Sequence, residues 1–129
     1  MKKELIIIGI IIIVIITAHA VTQIYTQNFF DMVSKDLDNI EEKIFSQNFN
    51  QDEINDEIQN VKNKWRKKYD YFACFVEHDE LEKVETQLIS ITTNAKVEDY
   101  DKCVDEIEKC KFIIKHIEDK DSLKIVNIF

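Results

Sequence analysis

Residues 5–21 read LIIIGIIIIVIITAHAV, and this stretch decides how the rest of the chain is interpreted. Leu5 to Ile16 contains only Leu, Ile, Val and Gly9, and Thr17, Ala18, His19, Ala20 and Val21 continue the run more weakly. As a helix the run rises about 25 Å, the short end of what crosses a hydrocarbon core. Lys2 and Lys3 precede it and the next basic residue is Lys35. The positive-inside rule therefore puts the N-terminus in the cytoplasm and everything after Val21 outside. The same residues also satisfy the three parts of a signal peptide, with Lys2 and Lys3 as the charged region, Leu5 to Ile16 as the apolar region and Ala18-His19-Ala20 as the cleavage site. A single-pass anchor in the cytoplasmic membrane is the leading expectation, because Val21 to Phe30 keeps helical character without a break. Secretion after cleavage near Ala20 is the alternative. Both readings divide the chain into a membrane segment, residues 1–21, and an exported domain, residues 22–129.

The composition of that domain points to helices. The chain has no Pro and a single Gly, which sits inside the apolar run. Sheets need tight turns, and tight turns draw on Gly and Pro. The formal net charge is −8, and since Lys2, Lys3 and Glu4 together contribute +1, the remainder carries −9. A domain so acidic is repelled by nucleic-acid phosphates. The partners expected are membrane lipid and either an envelope protein or a second copy of the chain, with no nucleic acid.

Four apolar stripes follow at helical spacing. They are Phe30, Val33, Leu37, Ile40, Ile44; then Ile54, Ile58, Val61, Trp65, Phe72; then Leu81, Val84, Leu88, Ile91, Ala95; and last Tyr100, Cys103, Ile107, Cys110, Ile114, Ile117. Asn50 reads as an N-cap with Glu53 closing a capping box, and Phe49 is placed to staple onto Ile54. The second and third stripes are out of phase: nine residues from Phe72 to Leu81 turn a helix by about 900°, onto its opposite face. A straight helix would also drive Asp79, Glu80, Glu82 and Glu85 toward lipid, which is prohibitive. A bend is expected between Cys74 and Asp79, with Asp79 and Glu82 as the new cap. The fold class that results is all-α, a transmembrane helix followed by a small antiparallel bundle. In it residues 22–47 pack on 51–73 and residues 79–95 on 99–118. The apolar tail (Leu123, Ile125, Val126, Ile128, Phe129) is expected to fold back onto the bundle.

Several of these residues also carry a resemblance. Trp65 followed by basic residues, the run Phe75-Val76-Glu77-His78-Asp79-Glu80-Leu81, Phe112 with Ile113-Ile114-Lys115-His116-Ile117, and the closing Asn127-Ile128-Phe129 resemble the bacterial family catalogued as domain of unknown function 4363. With the N-terminal apolar segment the resemblance spans nearly the whole chain. It implies a short, membrane-attached helical protein and implies no activity.

Candidate sites are few. Folding the last two helices about residue 97 brings His78 and His116 to one height, where Glu77, Asp79, Glu118 and Asp119 could complete a metal site. No His-x-x-x-His or Glu-x-x-His pair supports one, so no metal and no cofactor are expected. The one basic cluster, Lys62, Lys64, Arg66, Lys67 and Lys68 with Tyr69 and Tyr71, returns toward the bilayer in an antiparallel hairpin, with its aromatic rings at the interface, which makes Lys62, Lys64, Arg66, Lys67, Lys68 and Tyr69 candidates for membrane contact. Cys103 and Cys110 are core positions on one helix, about 10 Å apart and too far to bridge. No phosphate loop, nucleophile elbow, zinc-protease pattern or calcium loop occurs, and no catalytic residue is expected. The function expected is a non-enzymatic interaction or structural module, and the alternative is a ligand- or metal-sensing module built on His78 and His116.

Overall fold

A computed structural model describes residues 1–128, with side chains described as far as Lys120. The described residues form four helices, α1 (Lys2–Ser46), α2 (Gln51–Ala73), α3 (His78–Lys96) and α4 (Tyr100–Ile128). The first is one unbroken helix of 45 residues, about 67 Å long. Its N-terminal part is the one apolar window among the described residues long enough to cross a membrane, and nothing buries it. By length and composition this segment fits a membrane span or a signal sequence. From Thr26 onward the same helix turns one face into a core.

The core is the four stripes. Every residue of the first three is buried, and of the fourth only Tyr100, at its start, is half-exposed. Helix α1 packs on α2 and α4, and α3 packs on the same two, so the two hairpins close into a four-cornered bundle. The register of the second hairpin is seen at Cys103, whose thiol lies 3.7 Å from the Ile91 carbonyl oxygen, as folding about residue 97 requires. Near the end of the bundle where the apolar part of α1 emerges, Trp65 is fully enclosed by Phe29, Phe30 and Phe72, with ring centroids 5.9 to 6.3 Å away. Removing so large a buried ring leaves a void its neighbours cannot fill.

The bend falls where the phase conflict requires it. Residues 74–77 leave the helical path, and the Val76 N–H donates back to the Phe72 carbonyl at 2.8 Å. The break turns the third stripe inward, buries Val76 and leaves Glu77 exposed. One detail differs from expectation: α3 begins at His78 with Glu77 as its N-cap, so Asp79 and Glu82 do not form the cap. Glu82 instead accepts from the His78 ring at 2.9 Å. Glu80, in the first turn, is buried beside Lys83 at 3.2 Å, where the helix N-terminus also favours its negative charge.

Asn50 caps α2, with its Oδ1 accepting from the Asp52 N–H at 2.9 Å, while Glu53 accepts from Lys43 at 2.6 Å. Phe49 packs against the core and meets Tyr100 edge-on at 4.9 Å, which ties the α1–α2 turn to the start of α4. Whether the tail side chains fold back lies outside the described residues, but the α4 backbone continues helical to Ile128.

Two helix ends lack the glycine their geometry favours. Gln47 (φ 56°) closes α1 and Glu98 (φ 59°) closes α3, both in the left-handed region. After α3 the Glu98 and Asp99 N–H groups bond back to Ala95 and Asn94, the paired bonds of a Schellman end. A side chain with Cβ costs about 1 kcal/mol there. Glu98→Gly and Gln47→Gly are therefore each expected to raise the stability of the detergent-solubilised chain in urea by about 1 kcal/mol. Trp65→Ala is expected to lower it by about 3–5 kcal/mol, with the loss read as a shifted midpoint.

Candidate membrane-proximal site

The up-and-down path brings four chain segments to the end of the bundle where the apolar part of α1 emerges: α1 around Tyr25, the end of α2, the 74–77 turn, and α4 beyond Ile117. The α1–α2 register is fixed by Lys64 with Asp36 at 2.7 Å and by Lys43 with Glu57 and Glu53. It carries Tyr71 down to Tyr25, their rings edge-on at 5.4 Å. Phe75 in the turn then packs against Tyr71 at 5.2 Å and Phe72 at 5.9 Å. Tyr25, Tyr71 and Phe75 form one aromatic collar, and each is more than a third exposed (41%, 39% and 37%).

This register divides the basic cluster. Lys64 is held by Asp36 on α1, and Arg66 reaches Glu85 on α3 at 4.0 Å. Partial burial, with Arg66 and Lys96 nearby, lowers the Lys62 pKa, which places that ammonium among protein charges on the α3 side. The Tyr69 hydroxyl meets His78 Nδ1 at 3.2 Å. Lys68 alone reaches the collar, its ammonium 5.3 Å from the centre of the Tyr25 ring, while Lys67 beside it is exposed. Of the six residues that the sequence nominates for membrane contact, Lys68 has a described contact at this end, and Lys67 adjoins it.

His78 and His116 are both exposed. His78 uses both ring nitrogens, with Nδ1 3.2 Å from the Tyr69 hydroxyl and Nε2 2.9 Å from Glu82. Glu77 is drawn to Lys120 at 2.9 Å. Among the described residues no three His, Cys, Asp or Glu side chains converge as metal ligands. Cys74 is exposed, whereas burial pushes the Cys103 and Cys110 thiols up to about 11 and about 12.

Between α1 and α4 lies a line of charges that sequence periodicity did not single out. Lys111 of α4 bonds Asp38 at 2.7 Å and Glu41 at 2.8 Å on α1, and Glu108 on its own helix at 2.6 Å. Burial alone would depress its pKa, but these three hydrogen bonds outweigh it and hold the ammonium above the ordinary lysine range. Two turns further along, Glu118 faces Asp31 of α1. Partial burial, then the Asp31 charge and a hydrogen bond shared with it, push Glu118 up to about 7 against the opposing pull of Lys115.

Both features yield measurable outcomes. Lys111→Met leaves Glu41 and Asp38 facing α4 without their cation, and is expected to cost about 1–3 kcal/mol, part of it recovered by adding Glu41→Gln. Because the folded Glu118 carboxyl holds its proton above the ordinary value of 4.5, its contribution is greatest below that pH and is lost as pH rises through about 7. Glu118→Gln is therefore expected to raise the melting temperature over the parent at pH 8, with the difference shrinking toward pH 5.

No curated protein and no solved structure matches the chain. A family model does, and its match begins at residue 20, where the apolar run gives way to the bundle, and ends at residue 128. The chain belongs to the family described as Domain of unknown function (DUF4363).

Proposed function

We propose that this chain is a single-pass membrane protein whose acidic bundle stands on the outer face of the cytoplasmic membrane. There it binds another envelope protein or a second copy of itself, without catalysing a reaction. The observation that carries this reading is the continuity of α1, which passes from an unburied apolar segment into the core without a break. The orientation rests on Lys2 and Lys3 before the apolar run and the long stretch without cations after it. A protein partner suits the far end of the bundle, about 36 Å along α1 from Val21. Phe45 is 67% exposed there, beside a groove lined by Ile44, Phe49, Tyr100 and Val104. A large exposed aromatic so far from lipid is better matched by a protein surface than by a membrane.

Asn48, exposed in the α1–α2 turn far from the apolar segment, provides the topology site once Cys74 is replaced, because the two other thiols are buried and resist ionisation. A membrane-impermeant maleimide is expected to label Asn48→Cys, made in a Cys74→Ser chain, in right-side-out vesicles and not in inverted ones. The reverse pattern overturns the orientation. A photo-crosslinking residue in place of Phe45, activated in native membranes, is expected to capture a specific protein or a second copy. Recovery of uncrosslinked chain alone would remove the support for an interaction role.

A further inference from the structure

The aromatic collar has a geometry that the anchored reading by itself does not explain. Leu5 to Val21 rises about 25 Å, roughly 5 Å less than a typical hydrocarbon core of about 30 Å. Thr22, Gln23 and Ile24 add about 4.5 Å, which brings the far boundary of the core to Ile24 and the headgroup region to Tyr25. At that level the bundle presents Tyr25, Tyr71 and Phe75, with the Tyr71 ring in contact with both of the others and all three open to the outside. The missing length of span and the height of the collar coincide.

We infer that the membrane-proximal end of the bundle is itself a phospholipid-binding surface, in which Tyr25, Tyr71 and Phe75 sit in the headgroup interface with Lys68 beside them facing lipid phosphate. This rests on the anchored reading and deepens it, since a tether alone would leave the bundle free to stand off from the bilayer. Amphipathic rings favour the interface, where the apolar body is buried and the hydroxyl stays wet. The occupant is a bilayer because α1 runs from it directly into the collar.

The charges at this end indicate which part of the lipid is recognised. Glu77 is paired with Lys120, Glu80 with Lys83 and Glu82 with His78. Asp70 and Asp79 are exposed, as is Lys67, and Lys68 stands over the Tyr25 ring. Among the described residues cations do not dominate this surface, so the rings supply the binding and Lys68 makes a local contact. Binding is then largely indifferent to anionic lipid, unlike a polybasic segment.

Cys74, next to Phe75 and the one exposed thiol among the described cysteines, reports on the surface directly. The full-length chain is labelled there with an environment-sensitive fluorophore and reconstituted into phosphatidylcholine vesicles, with and without phosphatidylglycerol. The expected result is quenching by lipids spin-labelled near the headgroup in both compositions, with little quenching by aqueous iodide. Tyr25→Ser with Phe75→Ser is expected to reverse that pattern while Trp65 emission stays that of a buried indole. If this pair unfolds the bundle, Tyr25→Ser alone is read in the same way. Quenching by iodide and not by lipid in the parent chain, with the protein still retained on vesicles after alkaline carbonate, overturns the seated surface and leaves the anchor intact. Release by carbonate overturns both. Lipid quenching that requires phosphatidylglycerol, or that survives loss of the rings, overturns the aromatic mechanism.

Discussion

The constraint on which this structure depends is the continuity of α1. A helix kinks sharply only where its hydrogen-bond ladder is broken, and α1 has no break between Lys2 and Ser46. Its apolar N-terminal part and its core-forming part are therefore one continuous element, and the direction of one constrains the direction of the other. The remaining helices are arranged around that rod: α2 and α4 lie along its C-terminal half, and α3 closes the fourth corner. If α1 spans a membrane, the height and direction of the bundle are set by the span, with no linker to average them.

Given that rod, the break at residues 74–77 becomes a necessity rather than an ornament. An α2 that continued straight would bury opposite faces in its two halves and carry Asp79 and Glu82 below the level of Tyr25. Breaking there returns the chain upward, exposes Glu77, and uses Val76 to close the core over the turn. Polar pairs then set the relations between helices that apolar packing leaves loose. Lys64 with Asp36 and Lys43 with Glu57 register α2 on α1, and Lys111 with Asp38 and Glu41 registers α4 on it. The exposed pairs add little stability, whereas Lys111 and Glu41 are largely enclosed between the helices.

Legibility in the sequence followed the range of the interactions involved. The four stripes were readable because helical burial is periodic over seven or eight residues, and the bend was readable because two stripes disagreed in phase. Phe29, Thr26 and Val76 escaped because each lies at the edge of a stripe or inside a break, where spacing carries no signal. The aromatic collar escaped for a different reason. Tyr25, Tyr71 and Phe75 come from two helices and a turn, and only the α1–α2 register unites them. The basic cluster looked uniform in sequence, but neighbouring residues on a helix point in different directions, and most of its charges face Asp36, Glu85 or α3 rather than lipid. Apart from the family resemblance, which assigns no activity, the function had no comparable signal, since among the described residues no three potential metal ligands converge.

The account stands on α1 remaining whole in the mature protein. The intact mass of the chain, purified from the membranes in which it is made, tests this directly. The expected mass is that of a chain beginning at Met1 or Lys2, with the apolar segment still joined to the bundle. A mature chain beginning at Val21 would contradict it: the rod would be severed at the base of the bundle, and neither the anchored orientation nor the lipid seat would survive.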